Sequence, residues 1–239
     1  MIKAVLFDLD GTLLPMDMDE FTTGYFKFLV AKLIPHGYDK DALISAIWHG
    51  TAAMVRNDGS CTNEEAFWKD FSNSLGDRVY DDRGLFEDFY ANEFNKAKDI
   101  CGFNPMAERI VSGLKKNGIR VILATNPLFP AVATENRIRW AGLDPKDFEL
   151  YTTYENINYC KPNPKYYEEV LSRANLKPDE CVMVGNDVEE DMVAAELGCK
   201  VFLLTDCIIN KKEKSIDEYE HGGFEELREY LNELFKIEM

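Results

Sequence analysis

The segment VLFDLDGTLLP (5–15) decides how this chain is read. An apolar run enters Asp8, passes Leu9 and reaches Asp10, and Gly11 and Thr12 follow. Strand side chains alternate between faces, so Asp8 and Asp10 start on one side of the chain. Two carboxylates this close repel each other unless a cation or a shared proton intervenes. Gly11 permits a tight turn directly after them, and the N–H groups of such a turn offer anion contacts.

Outward from this strand (2–8) the chain changes character twice. Between 18 and 100 the apolar residues recur at threes and fours, as in FTTGYFKFLVAKL, which predicts helices over 20–33, 40–56, 62–75 and 83–99. Thr62 and Glu65 have capping-box spacing. Beyond Pro105 helices and strands alternate. Helices are expected over 106–117, 130–141, 164–174, 188–197 and 224–235. Strands are expected over 119–125, 150–154, 181–185 and 200–205. Gly118, Gly142 and Gly198 close three of the helices. Nearly all-apolar strands between helices predict an α/β fold, a Rossmann-like parallel sheet with helices on both faces. Its core would comprise 1–15 and 101–239, with 16–100 inserted as a helical domain.

Bulk properties narrow the function. The 239 residues carry a net charge of −16, which repels a phosphate backbone and argues against a nucleic-acid partner. No run reaches the ~18 apolar residues of a membrane span, and no signal peptide precedes the first strand. Six scattered cysteines without a Cys-x-x-Cys pair read as reduced thiols of a cytoplasmic protein. Three histidines make a multi-histidine metal site unlikely on numbers alone. The loop 210–214 reads as a solvated, charged surface.

Ligands of doubly wound folds bind beyond the carboxyl ends of the strands. Those ends carry Asp8 and Asp10, then Thr125 and Asn126, then Lys161 in the following loop, then Asn186 and Asp187 with Asp191 shortly after. Each is ordinary alone: Asp-Gly is a turn, Thr-Asn a cap, Lys-Pro a loop, and acids suit the start of a helix. Together they place an oxygen-rich cluster suited to Mg²⁺ beside donors for a phosphate dianion.

In this order the residues resemble the haloacid dehalogenase-like superfamily. FDLDGT (7–12) matches its first motif, Asp-x-Asp-x-Thr after a strand. ILATN (122–126), Lys161 in CKPNPKYY (160–167) and VGNDVEED (184–191) are similar to the other three. The inserted helices are similar to the cap this family places between its first and second motifs. The resemblance implies that Asp8 attacks phosphorus to form an aspartyl-phosphate, and that Asp10 protonates the leaving oxygen and then activates water. It implies that Thr125 and Lys161 bind phosphoryl oxygens. It also implies that Mg²⁺ is held by the Asp8 carboxylate, the Asp10 carbonyl and an acid of the fourth motif. One departure is that Asn186 stands where the family has Asp after the Gly. Counting back from Gly198 favours Asn186, with Glu190 as second acid; counting by acid type favours Asp187, with Asp191 behind it. The second count is preferred, with Asn186 beside Asp187.

Asp10 distinguishes this chain from the family's carbon–halogen hydrolases, which lack an acid there, and from its ion pumps, which carry Thr. The expected activity is Mg²⁺-dependent hydrolysis of a small phosphorylated metabolite. The alternatives are a phosphomutase, a phosphonate hydrolase using Lys27, Lys32 or Lys69 of the insert, and a non-catalytic binding module. His36, Trp48, His49, Arg56 and Trp68 are the candidates for reading the substrate, against the simpler view that the tryptophans are core and the others solvated. A monomer is the default and a dimer through the cap the alternative.

Overall fold

The computed structural model describes residues 1–239. The chain runs β1 (Ala4–Phe7), α1 (Met18–Leu33), α2 (Lys40–Val55), α3 (Asn63–Leu75), α4 (Arg78–Asp81), α5 (Arg83–Ala91), α6 (Pro105–Lys116), β2 (Arg120–Leu123), α7 (Ala131–Trp140), α8 (Pro164–Arg173), β3 (Cys181–Gly185), β4 (Lys200–Leu204), β5 (Glu220–Gly222) and α9 (Phe224–Phe235). The strands form one parallel sheet in the order β2-β1-β3-β4-β5. The chain leaves β1 to one side to make β2 and crosses back to make β3. The carboxyl end of β1 is therefore the switch point where such sheets open a crevice.

Alternation along the strands gives each face of the sheet its own core. Val5, Phe7, Val121, Leu123, Val182 and Val184 pack on one side, beneath residues of α6, α7 and α9. Ala4, Leu6, Ile122, Ala124 and Met183 pack on the other, against Tyr166, Tyr167, Val170 and Leu171 of α8. The expected parallel sheet with helices on both faces is what forms.

No strand lies between Met18 and Ile100. Asp17 caps α1 by accepting from the amides of Asp19 and Glu20, and Thr62 and Glu65 form the anticipated capping box. Gly50 does not break α2; a side chain there would strike the Phe67 ring, so its absence lets α3 pack closely. The apolar core runs from the sheet into these helices without a break, joining Val5 and Phe7 to Phe21, Leu43, Phe71 and Phe89. The two crossings into the helical segment lie side by side, where the Gly102 amide donates to the Pro15 carbonyl at 2.7 Å.

Three expectations are corrected. The strand over 150–154 is reduced to a single bridge, Leu123 with Tyr151. There the chain turns away, and the Tyr154 carbonyl accepts from Glu64 of α3 instead. The helix over 188–197 is a turn followed by 3-10 helix at Met192–Leu197. The Asp187 carboxylate takes the amides of Glu189 and Glu190, side-chain bonds that compete with a regular helix. The helix over 83–99 ends at Ala91 and continues as 3-10 helix over Glu93–Ile100.

Candidate active site

Asp8, Asp10, Thr125, Asn126, Asn186, Asp187, Glu190 and Asp191 all line one cavity of about 780 Å³ at the carboxyl ends of the strands. Lys161 lies beneath its floor, 1% exposed, and joins two of these acids: its ammonium donates to Asp8 Oδ1 at 2.9 Å and to Asp191 Oδ1 at 2.6 Å. Burial alone would lower the Lys161 pKa, but Asp191 and Asp8 outweigh it and hold it well above its ordinary value. Burial raises Asp191 against the pull of Lys161.

Thr12 ties the first motif to the fourth. Its hydroxyl lies 3.1 Å from Asp8 Oδ2 and 3.0 Å from Asn186 Oδ1. The Asn186 amide group donates to the Cys207 carbonyl at 2.7 Å, which fixes its oxygen on the Asp8 side. Gly11 has φ +82°, and a side chain there would collide with the Asn186 amide nitrogen. The glycine therefore serves the approach of Asn186 as well as the turn. Its N–H is already given to the Leu14 carbonyl, which removes Gly11 from the anion donors expected of this turn.

These contacts place Asn186, Asp187 and Asp191 differently. Asn186 stands beside Asp8. Asp187 lines the same cavity but spends one carboxylate oxygen on the following turn, while Asp191 lies behind with Lys161. Glu190 is reached by the Asn126 side-chain amide at 3.0 Å. Burial pushes the Glu190 pKa up to about 7; Lys161 opposes this, and Asp191, Asp187 and Asp8 add to it.

Asp10 has a partner that sequence reasoning did not supply. Arg137 of α7 is fully buried and makes an ion pair with Asp10 Oδ2. Its guanidinium lies 4.4 Å from the centre of the Phe129 ring. Burial raises the Asp10 pKa, and Arg137 opposes that shift. The only signal in the sequence was an arginine at helical spacing with Ala133, Thr134, Trp140 and Ala141, all buried. Thr152 and Tyr166 were also missed. Their hydroxyls both donate to the Thr125 carbonyl, at 2.6 and 2.8 Å, and so fix the end of β2.

The donors present suit a hard divalent cation held in part by water. No three His, Cys, Asp or Glu side chains converge to enclose a metal by themselves. Asp8 and the Asn186 oxygen do face one hydroxyl, and the buried Asp10 Oδ1 lacks any hydrogen-bond partner. Mg²⁺ keeps several waters and takes only one or two carboxylates, so this open, oxygen-only set fits it.

A second cavity, of about 200 Å³, adjoins the first between the helical segment and residues 128–132; Met18, Thr22, Trp48, Leu128 and Phe129 line both. Of the candidate substrate readers, Trp48 is exposed at this junction, whereas Trp68 is buried and lines the second cavity. His36, His49 and Arg56 are exposed and line neither. Lys211, in the loop read as merely solvated, lines the first cavity.

A family model for haloacid dehalogenase-like hydrolases matches residues 2–198. The chain is similar to a pyrophosphatase of Bacillus cereus, PpaX, at 24% identity, over 82% of this chain and 79% of the relative. It shares the fold of a 2-haloacid dehalogenase of Pseudomonas syringae at 18% identity, covering 98% of this chain and 100% of the other with a TM-score of 0.65. It also shares the fold of a HAD-hydrolase of Bacillus subtilis, YfnB, bound to magnesium, at 21% identity, covering 97% and 99% with a TM-score of 0.56. No helix is long and apolar enough to cross a membrane. Four motifs meet at one switch point and the family model spans most of the chain, so the protein belongs to the haloacid dehalogenase-like hydrolases.

Proposed function

We propose that the protein is a Mg²⁺-dependent phosphatase of a small phosphorylated metabolite, and that residues 16–100 act as its cap. The observation that carries this reading is the shared cavity of Asp8, Asp10 and Thr125, with Lys161 bonded to Asp8 from below.

In this reading an Asp8 oxygen attacks phosphorus, and the bond from phosphorus to the ester oxygen breaks. Asp10 gives the departing oxygen a proton, a contribution of typically ~10²–10⁴-fold. Asp10 then takes a proton from water as the water attacks the aspartyl-phosphate, which frees Asp8 and releases phosphate. Lys161 offsets the repulsion between carboxylate and dianion, and the Thr125 hydroxyl holds a phosphoryl oxygen. Asp8, the Asn186 carboxamide, the Asp10 carbonyl and Asp187 would hold Mg²⁺. When bound, the ion neutralises charge on the equatorial phosphoryl oxygens.

The arrangement gives no support to a lysine-based phosphonate hydrolase. Lys32 is paired with Asp88 and Glu93, and neither it, Lys27 nor Lys69 lines either cavity. A cytoplasmic location and a monomeric state complete the proposal.

The test is phosphate release across a panel of phosphate esters, with Mg²⁺ and with chelator, for wild type and Asp8→Asn. Release should need Mg²⁺ and fall at least about 10³-fold in Asp8→Asn with the fold intact. Release that persists in Asp8→Asn would remove Asp8 as nucleophile. Isomerised ester in place of free phosphate would move the reading to a mutase. Mg²⁺ binding without turnover would move it to a binding module.

A further inference from the structure

The second cavity contrasts chemically with the first. Fifteen of its 21 lining residues are hydrophobic, among them Tyr25, Trp48, Phe67, Trp68, Tyr90 and Phe129. Protein interiors pack to near-crystalline density, and a cavity of this size carries a stability cost that an ordinary core would close. This one lies between the sheet's rim and the helices, and shares five residues with the acid-lined cavity. A group attached to a phosphate at the rim therefore extends into it.

Its charges exclude a polar anion as that group. The ionic side chains of the lining are Glu64, Arg83 and Glu87. Arg83, the single cation, is already paired with Glu64 at 3.2 Å and lies 4.5 Å from the Trp68 ring centre. A second phosphate or a carboxylate would enter an acidic, aromatic lining without a free cation to meet it. Uncharged rings suit the lining, since aromatic pairs gain from edge and offset contacts. Trp48 is 52% exposed at the junction and leans on Phe26 with ring centres 5.4 Å apart. Its remaining face is available to a passing ring.

Two features set the size and polarity of the occupant. A cavity of roughly 150 Å³ takes one benzene ring, so about 200 Å³ takes one ring with a short linker. Trp68 is only 5% exposed, and its indole N–H faces the Tyr154 hydroxyl, which lines the same cavity. The pair is a small polar spot in an otherwise apolar lining, suited to one polar atom on the occupant.

From these observations we infer that the substrate is the phosphate monoester of an uncharged aromatic alcohol, a single ring on a short linker, with the ring seated between Trp48 and Trp68. The inference rests on the phosphatase reading and adds to it the class of the leaving group.

The experiment compares kcat/KM of the Mg²⁺-loaded enzyme for phenethyl phosphate, ethyl phosphate, glycerol phosphate and inorganic pyrophosphate. The three esters leave as primary alcohols, which holds leaving-group chemistry nearly constant. Phenethyl phosphate should be preferred over ethyl phosphate by about 30-fold or more, the worth of burying one ring. Trp48→Ala should lower that preference about 10-fold, chiefly through KM. Thr51→Phe, which fills the chamber from α2 without removing a core residue, should lower it as well. Equal or faster turnover of ethyl or glycerol phosphate, or of pyrophosphate, would overturn the inference and leave the phosphatase standing. An unchanged preference in both variants would move the ring elsewhere and overturn it too. No release from any of the four by folded enzyme that hydrolyses another ester of the panel would overturn the inference alone, and no release from the whole panel would overturn both readings.

Discussion

Asp8, Asp10, Asp187, Glu190 and Asp191 line one cavity; Phe67, Trp68, Phe86 and Tyr90 line its neighbour. The first is held by a few strong polar contacts. Lys161 alone bridges Asp8 and Asp191, and Arg137 alone answers Asp10. The second is held by many weak contacts. Phe94, for example, meets Phe21, Tyr25, Phe89, Tyr90, Phe129 and Trp140 within aromatic range. Loss of one member should therefore be severe in the first region and modest at the edge of the second.

Lys161→Met should break the acid-lined region most completely. It leaves Asp191, 1% exposed, without a counter-charge, and unpairs Asp8 as well. We expect a stability loss of about 3–5 kcal/mol in urea unfolding, together with loss of phosphate release. A loss below about 1 kcal/mol would show that the two acids tolerate each other without the lysine.

Arg137→Met is the next test. The Asp10 side chain left behind is 15% exposed, against 9% for Asp8 and 1% for Asp191, so water relieves part of the loss, and we expect about 3 kcal/mol. Arg137→Lys should recover only part of this, because an ammonium cannot match a planar group packed on the Phe129 ring. Full recovery by lysine would reduce Arg137 to a bare charge.

The smallest effect is expected at Glu190, and it sharpens the contrast through pH. Its folded pKa, about 7, lies above its ordinary value of 4.5. Below both values the carboxyl is protonated in folded and unfolded chains alike and favours neither. As pH rises from 4.5 towards 7 the unfolded chain releases its proton first, so stability falls, and above 7 the loss is complete. Glu190→Gln, unfolded by urea in chelator across this window, should remove about 1 kcal/mol of that decline, after allowance for partial exposure. An identical slope in wild type and variant would place Glu190 in water.

The acid-lined region was legible in outline because Asp8, Thr125 and Asn186 each follow a strand, and parallel strands end on one rim. Chain order fixed where Asp8, Thr125 and Asn186 would lie before any packing was known. The surroundings of Asn186 were not legible, because they are made by Thr12, Gly11 and the Cys207 carbonyl, distant in sequence from its motif. The aromatic region was harder to read. In FTTGYFKFLVAKL apolar residues occupy most of the helix surface, so periodicity does not say that Leu33 turns inward to the core while Phe26 lines a cavity. Arg137 was hidden because an arginine on a helix is ordinarily solvated. Strand β5 was hidden because Glu220, His221 and Gly222 have no apolar alternation; it joins the sheet edge through its backbone.

The place of β1 in the sheet also bears on how the protein is made. Its hydrogen-bonding neighbours are Arg120–Leu123 on one side and Cys181–Gly185 on the other. A ribosome releases the strand that carries Asp8 first, then the helices of Met18–Ile100, and only much later the second neighbour. Until Gly185 has emerged, β1 is an apolar strand with an unpaired edge, and Asp8 has no Lys161–Asp191 pair to anchor it. Truncated chains that end before β3 should therefore hold a helical segment beside an unfinished sheet, the form in which a nascent chain most needs a chaperone.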